Sequence, residues 1–236
     1  MGAVGTLYNA VQSGDIVLKI IFIALLLIGI ISAICIYLKE KINQPLLLKC
    51  NRTGILDIQH DGKCSNEKMS DKIRNAEKID IFFYAGSGFF NAFQNELVDA
   101  LEKNRAEIHI IIGTTNSLFL NDLDKIEFKY HRGSTRSIST EIDIIKSYIE
   151  EWREKRAVGK GTIELKHFST ELRMSMILIK LKNGEEWGWI TLAMPPIKAI
   201  DTISFEIENN SEGVNLYKQS KKHFDSVWNI LPKDKQ

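Results

Sequence analysis

An uncharged apolar run near the N-terminus, IIFIALLLIGIISAICIYL at residues 20–38, constrains this chain most. A helix rises about 1.5 Å per residue, so the run covers roughly 30 Å, the thickness of the hydrocarbon core of a bilayer. Lys19 at one end can extend its ammonium to the headgroups, and Tyr37 at the other end is typical of a membrane interface. The pattern predicts one transmembrane helix over residues 16–38.

Two other interpretations of the run fit less well. A secretory signal has a shorter apolar region, with positive charge before it and a small-residue cleavage site after it. Here Asp15 precedes the run and Lys39-Glu40-Lys41 follows it. A buried helix of a soluble protein keeps a polar face, which this run lacks. We therefore expect a short segment at residues 1–15 and a juxtamembrane linker at 39–53.

Positive residues are concentrated just after the run, at Lys39, Lys41, Lys49 and Arg52. The positive-inside rule then predicts a single-pass protein of the cell (inner) membrane whose C-terminal domain is cytoplasmic. The tripeptides Asn51-Arg52-Thr53 and Asn209-Asn210-Ser211 fit the glycosylation pattern. Such tripeptides are common by chance and carry little weight against the charge distribution.

Charge and cysteine content exclude several classes of function. The 31 basic and 30 acidic residues give a net charge of +1, so we expect no specific binding of nucleic acid. The cysteines are Cys35, Cys50 and Cys64. Cys50 and Cys64 could pair, but two cysteines make no disulfide scaffold, and we favour free thiols. No cluster of Cys and His predicts a metal site, and no cofactor is expected.

Residues 54–232 have the pattern of an α/β domain with a mixed sheet flanked by helices. Residues 78–84 predict a buried strand, a glycine-rich turn and an apolar-striped helix follow, and residues 107–113 predict a second strand. A strand–helix–strand unit of this length predicts two parallel strands.

The rest of the domain alternates less regularly. Before the first strand, Ser70-Asp71 could cap a short helix, and residues 114–139 read as a long connection. An amphipathic helix is predicted at 140–156 and a last helix at 214–230, before a tail at 233–236. Between those helices, strands are predicted at 162–168, 172–182, 186–194 and 202–208. Asn183-Gly184 is a strong hairpin signal between the second and third of these.

Several stretches together resemble one half of a phospholipase D-like domain: KIDIFFYAGSGFFNAFQNELVDAL, EIHIIIG, LRMSMILIKLKNGEEWGWITL and ISFEIE. The resemblance covers roughly residues 57–231. In that family the strand before the hairpin carries a His-x-Lys pair and a following Asp. Here the three positions hold Met174, Met176 and Leu181.

The resemblance therefore implies the fold without the catalysis. The family uses the His as a nucleophile on phosphorus and the Lys to hold phosphate oxygens, and methionine does neither. Only Glu206 has a counterpart on the following strand, and no catalytic residue is assigned. Active members of the family bring two halves together, so the resemblance also suggests a homodimer.

Two loops are candidates for binding a phosphate-containing small molecule. In the turn Gly86-Ser87-Gly88, free backbone N–H groups at a helix N-terminus favour anions. The alternative is a tight turn that needs glycine. The basic loop with His131, Arg132 and Arg136 would hold a phosphate or lipid headgroups, or is simply solvated. If both loops bind, they should meet at one end of the sheet.

Other residues favour structural roles. Trp187 and Trp189 alternate on a strand and are more typical of core than of an aromatic platform. Ser87 lacks the GxSxG pattern of a hydrolase nucleophile. His109 and His167 lie in strand patterns and are expected to be structural.

The leading hypothesis is a membrane-anchored, non-catalytic sensor or adaptor domain. Its architecture, a small domain behind one short anchor, suits a role in bacterial signalling or defence. It would bind a phosphorylated ligand or a protein partner. Two alternatives stay open: a phosphodiesterase or phospholipase with relocated catalytic groups near Glu206, and an effector that oligomerises through its helix to disturb the bilayer. Gly29 and Ser32-Ala33 offer small residues for helix contact, although no GxxxG motif is present.

Overall fold

The computed structural model describes residues 20, 23–34, 36–37, 52–59, 64, 66–115, 117–130, 137–155, 161–172, 174–192, 202–210 and 215–232. The chain divides into two units, residues 1–49 and 50–236. In the first unit, residues 23–34 are helical and their side chains are exposed. Within the described part of the chain, no helix has both the length and the apolar character that crossing a bilayer requires. The anchor at 16–38 therefore stays a prediction.

A seven-stranded sheet forms the second unit. In chain order its strands are β1 Ile55–Gln59, β2 Ala76–Phe82, β3 Glu107–Gly113, β4 Thr162–Phe168, β5 Met174–Leu181, β6 Glu186–Leu192 and β7 Ser204–Glu208. The strand order across the sheet is β1-β7-β6-β5-β2-β3-β4. The neighbours β2, β3 and β4 are parallel, and all other neighbouring strands are antiparallel. The predicted α/β class with a mixed sheet is confirmed.

Five helices of the described residues pack on this sheet. They are α1 Asn66–Arg74, α2 Ser87–Lys103, α3 Leu118–Tyr130, α4 Ile138–Lys155 and α5 Leu216–Ile230. Side chains alternate along a strand, so Ile79 and Ile81 of β2 lie on one face of the sheet, and Asp80 and Phe82 lie on the other. The first face packs against buried residues of α1, α2, α3 and α4. The second face packs against α5, whose Phe224 is completely buried.

Three local predictions are confirmed. The strands β2 and β3 are parallel and are joined through α2, as the strand–helix–strand pattern requires. The hairpin between β5 and β6 turns at Asn183-Gly184, where Gly184 has the left-handed φ of 88° that favours glycine. Trp187 and Trp189 are 3% and 6% exposed and belong to the first-face core rather than to an aromatic platform.

Two other predictions are wrong, and one strand was missed. Residues 114–139 are not one long connection, because α3 lies within them and buries Leu120 and Leu123. Ser70-Asp71 does not cap a helix, since both residues lie inside α1. The strand β1 was not predicted, because three of its five residues are exposed and no apolar alternation marks it.

Candidate functional site

Met174, Met176 and Leu181, which the sequence resemblance sets against the catalytic motif of the phospholipase D-like family, all pack against the hydrophobic core. Met176 is completely buried on the second face, and Met174 packs against the same cluster. Leu181 is 5% exposed and lies on the first face. None of these side chains can act as a nucleophile or hold a phosphate oxygen by charge. Strand β5 therefore stabilises the sheet and carries no phosphoryl-transfer chemistry through these positions.

The turn Gly86-Ser87-Gly88 lies after the carboxyl end of β2 and starts α2. Gly86 is the N-cap residue, with a left-handed φ of 88°, and a Cβ there would collide with the ring of Phe83. A Cβ at Gly88 would meet nothing within 4 Å. The conformation of the turn thus explains Gly86 but gives no reason for a glycine at position 88.

The N-terminus of α2 is open to an anion. No side chain caps it, and its first turn contains no acidic residue. The positive end of the helix dipole and the first amide groups are therefore not matched by a carboxylate of the same turn. This arrangement is able to bind a phosphate or carboxylate group.

Aromatic side chains surround this turn. The rings of Phe83 and Phe89 meet edge to face at 5.4 Å, and both are half-buried. Tyr84 stacks on Phe119 at 5.5 Å, and its hydroxyl accepts a hydrogen bond from the backbone N–H of Leu172. Burial raises the pKa of Tyr84 to about 12, so its phenol stays protonated at neutral pH. Partly exposed rings beside an anion site are suited to a ligand that carries a ring.

Glu206 lies elsewhere on the sheet. It is 4% exposed, accepts a hydrogen bond from Trp187 Nε1 at 2.7 Å, and pairs with Lys68 Nζ at 2.5 Å. Three strand spacings, about 14 Å, separate Glu206 on β7 from β2. The structure therefore does not bring Glu206 to the Gly86–Gly88 turn. Its contacts instead join α1 to the first face.

A free cysteine lies close to Glu206. Burial is the main cause that raises the pKa of Cys64 to about 11, and the negative charge of Glu206 adds to it. Such a thiol is a poor nucleophile at neutral pH because almost none of it is thiolate. Cys64 is a free thiol in the described part of the chain, and Cys35 and Cys50 lie outside the described residues.

The basic loop is not described either. His131, Arg132 and Arg136 lie outside the described residues, so the predicted meeting of the two loops stays untested. The helices on either side of the loop do meet, because the backbone N–H of Ile138 at the start of α4 donates to Asp124 Oδ1 of α3 at 2.6 Å.

A charge cluster on the second face was not predicted from the sequence. Asp80 is 2% exposed, and its carboxylate contacts His109 Nδ1 at 3.2 Å and Lys221 Nζ at 3.3 Å. His109 Nε2 lies 2.7 Å from Glu107 Oε1, and the ring stacks on Trp228 at 4.3 Å. The sequence signal was an Asp in the middle of a buried strand, which rarely occurs without a charged partner.

Two lysines attach α5 to the second face. Burial lowers the pKa of Lys221, but hydrogen bonds and charge from Asp225 and Asp80 outweigh it and raise the pKa above its ordinary value. Lys166, buried on β4, donates to the backbone oxygens of Trp228 and Leu231 at 2.6 and 3.0 Å. These carbonyls end α5, so Lys166 satisfies acceptors that a helix C-terminus leaves open.

Metal binding is not indicated where the structure is described. In that part of the chain no group of three or more His, Cys, Asp or Glu residues is arranged to hold a metal ion. The residues of the charge cluster are instead paired with one another across β2, β3 and α5.

Comparison with known proteins gives only distant likenesses. No protein-family profile and no curated protein matches the chain. One similar solved structure is TrmBL2, an archaeal chromatin protein that binds DNA, with 13% identity and a TM-score of 0.41 over 91% of this chain and 70% of that one. Another is Nuc, a phospholipase D family member from Salmonella typhimurium, with 13% identity and a TM-score of 0.42 over 76% and 99%. These likenesses assign no activity, and the absence of specific nucleic-acid binding stays a prediction.

Proposed function

We propose that this chain is a membrane-anchored, non-catalytic binding domain with a degenerate phospholipase D-like fold, acting as a sensor or adaptor. The observation that carries the proposal is the complete burial of Met176 in the apolar cluster of the second face, with the half-buried Met174 packed against that cluster. Phosphoryl transfer by the family's route needs a nucleophile and a cation at these positions, and a methionine side chain supplies neither.

The ligand we propose carries a phosphate group and a ring, as a nucleotide does. Its phosphate would lie at the N-terminus of α2, against the Gly86–Gly88 turn, where no capping side chain or acidic residue competes. Its ring would lie against the half-buried Phe83 and Phe89. The basic loop at His131, Arg132 and Arg136 would supply further positive charge from the end of α3.

Gly88→Asp separates this binding from folding. A carboxylate in the first turn of α2 interacts well with the helix dipole, so the free energy of unfolding should rise by about 0.3–1 kcal/mol. The same charge repels a phosphate, so affinity for adenosine monophosphate should fall by about tenfold or more. Asn95→Asp adds the same charge to an exposed position of α2, and it should leave affinity unchanged.

The full chain in detergent micelles would be titrated calorimetrically with adenosine monophosphate, ribose 5-phosphate and adenosine. We expect the order of affinity to follow that sequence of probes. No heat with any phosphate probe, or equal binding by Gly88→Asp, would contradict the ligand proposal. Turnover of bis(p-nitrophenyl) phosphate that disappears in Glu206→Gln would favour the phosphodiesterase alternative instead.

The anchor has its own test. Replacing Leu26 and Ile30 by lysine places two charges in the apolar run, at about 2.5–3.5 kcal/mol each for insertion. The full chain should then leave the membrane fraction on carbonate extraction. Replacing Gln94 and Asn95 by lysine is a control that adds the same charge outside the run, and that variant should stay with the membrane. Extraction of the unaltered chain by carbonate would contradict the anchor.

A further inference from the structure

The strand β1 forms one edge of the sheet, and apolar side chains are exposed along it. Among the described strands, β7 is its only neighbour. Leu56 and Ile58 of β1 are 46% and 44% exposed. Edge strands that avoid further pairing commonly carry lysine or proline, and the five residues of β1, ILDIQ, include neither. The outer side of β1 is therefore open to another strand.

The backbone of Ile58 faces this open side. Its N–H donates to Oδ1 of Asp57, the residue before it, at 2.8 Å. Successive N–H groups of a strand point to opposite sides, so those of Asp57 and Gln59 face β7. The register with β7 shifts between Ile55 and Asp57, which leaves Asp57–Gln59 as the regular part of the edge. A second strand would meet Ile58 there, with its N–H and its C=O both directed outward.

The side chain of Ile58 belongs to a small apolar surface on the second face. Ile58 pairs with Phe205 of β7, and directly paired residues lie on the same face. Phe205 is half-buried, and Ile203, two residues before it, is 37% exposed. Ile58, Phe205 and Ile203 form what we call the edge patch. A partner strand placed beside β1 would bring its own side chains against this patch.

Charge selects one register for two copies of β1. In an antiparallel pair with twofold symmetry, the residue on the axis faces its own copy. An axis through Asp57 sets two carboxylates directly opposite each other, which is destabilising. An axis through Leu56 sets Asp57 against the apolar Ile55. An axis through Ile58 sets two apolar side chains together and places Asp57 of each copy opposite Gln59 of the other.

The pair of Asp57 and Gln59 is chemically matched. Within one strand, Gln59 Nε2 already donates to Asp57 Oδ2. In the register centred on Ile58, the same amide can donate to the same carboxylate across the two copies. The bond from the Ile58 N–H to Asp57 Oδ1 is then replaced by a backbone bond to the Ile58 carbonyl of the other copy, so no polar group loses its partner.

We propose that two copies of this chain associate through β1, as antiparallel strands with the twofold axis at Ile58. The two sheets then form one continuous sheet, and the two edge patches meet at the axis. A strand pair of this size buries less than about 1,200 Å², the lower limit for stable complexes, so the dimer dissociates in the micromolar range. The association requires neither the ligand nor the anchor proposed above.

Analytical ultracentrifugation of the full chain in detergent micelles measures the association. Ile58→Lys places two ammonium groups opposite each other at the axis and should raise the dissociation constant by about tenfold or more. Ile230→Lys adds the same charge to an isoleucine of α5 that is 81% exposed, and it should leave the constant unchanged. Both variants should melt near the temperature of the unaltered chain, because both side chains are exposed.

Disulfide formation tests the register, in chains whose native cysteines are replaced by serine. Ile58→Cys places two thiols on residues whose Cα atoms are about 5.5 Å apart, within the span of a disulfide, and should cross-link on oxidation. Asp57→Cys meets its own copy only on a diagonal of about 7–8 Å and should cross-link far more slowly. A mixture of Asp57→Cys and Gln59→Cys chains should form the mixed dimer. Asn95→Cys, exposed on α2, is the control for random collision.

Two results would overturn the use of this edge. One is a chain that stays monomeric up to millimolar concentration. The other is a dimer whose dissociation constant does not change in Ile58→Lys, because that dimer associates through another surface. Cross-linking of Asp57→Cys as fast as that of Ile58→Cys would overturn the register, and so would Ile58→Cys reacting no faster than Asn95→Cys.

Discussion

The indole Nε1 of Trp187 donates a hydrogen bond to Glu206 Oε1 across 2.7 Å, on the first face of the sheet. The same oxygen pairs with Lys68 of α1 at 2.5 Å. Glu206 is 4% exposed, and one of its oxygens contacts two donors. These surroundings give the carboxylate a structural role. The contacts of Glu206 thus join β6, β7 and α1.

Substitution of Glu206 should affect stability in two graded steps. Glu206→Leu leaves the Trp187 N–H buried without an acceptor and should lower the free energy of unfolding by about 2–4 kcal/mol. Glu206→Gln keeps an acceptor and loses only the pairing with the half-exposed Lys68, so its cost should be about 1 kcal/mol. Urea unfolding followed by circular dichroism measures both. Equal costs for the two variants would show that charge, and not the hydrogen bond, matters at this position.

Lys221 should make stability depend on alkaline pH. Its pKa in the folded chain is raised above its ordinary value of 10.5, so its contribution to stability is complete below pH 10.5. The contribution is lost as pH rises through the folded pKa, because the folded state then releases the proton that stabilised it. Lys221→Met should cost about 1–3 kcal/mol at pH 8, a value reduced by the partial exposure of the side chain.

Measuring the free energy of unfolding of the unaltered chain and of Lys221→Met above pH 10 checks this prediction. The stability difference between the unaltered chain and Lys221→Met should shrink as pH rises. A difference that stays constant from pH 8 to the alkaline limit of folding would mean that Lys221 acts through packing of its methylene groups rather than through charge.

Cys64 should react slowly while the chain is folded. A pKa raised from 9.0 to about 11 lowers the thiolate fraction at pH 8 about a hundredfold. Alkylation by iodoacetamide, followed by peptide mapping, should therefore label Cys64 about a hundredfold more slowly in the folded chain than in the unfolded chain. Lys68→Met should slow it further, since Lys68 lowers this pKa. Rapid labelling of Cys64 in the folded chain would contradict the burial that raises its pKa.

Gly86 and Gly88 should respond oppositely to alanine. Gly86→Ala places a Cβ against the Phe83 ring in a left-handed backbone and should cost about 2 kcal/mol or more. Gly88→Ala adds a methyl group in open space within a helix and should stabilise the fold by up to about 1 kcal/mol. Thermal unfolding of the two variants measures the contrast, and a large cost for Gly88→Ala would show an unrecognised constraint on the turn.

Local patterns predicted the parts of the fold that local chemistry determines. Asn183-Gly184 predicted the hairpin because that dipeptide adopts the turn backbone easily. The apolar runs of β2 and β3 predicted buried parallel strands. The strand β1 was not predicted because it is an exposed edge strand that pairs only with β7. Such a strand needs no alternation of apolar and polar residues.

The candidate sites show the same limit. The Gly86–Gly88 turn was visible because one strand and one helix make it. Asp80, His109 and Lys221 come from three elements, and only the strand register and the docking of α5 bring them together. No local spacing encodes this set.

The pairing of β1 with β7 has a consequence for biosynthesis. Ile55 lies opposite Ile207, so about 150 residues must be made before β1 has a partner, which takes roughly 8–30 s at ordinary rates of translation. The last helix, α5, covers the second face later still. For that interval, the backbone of β1 has no strand partner, and the apolar residues of the second face have no native cover on the ribosome. This chain should therefore depend on chaperones during synthesis more than a domain whose first strands pair with each other.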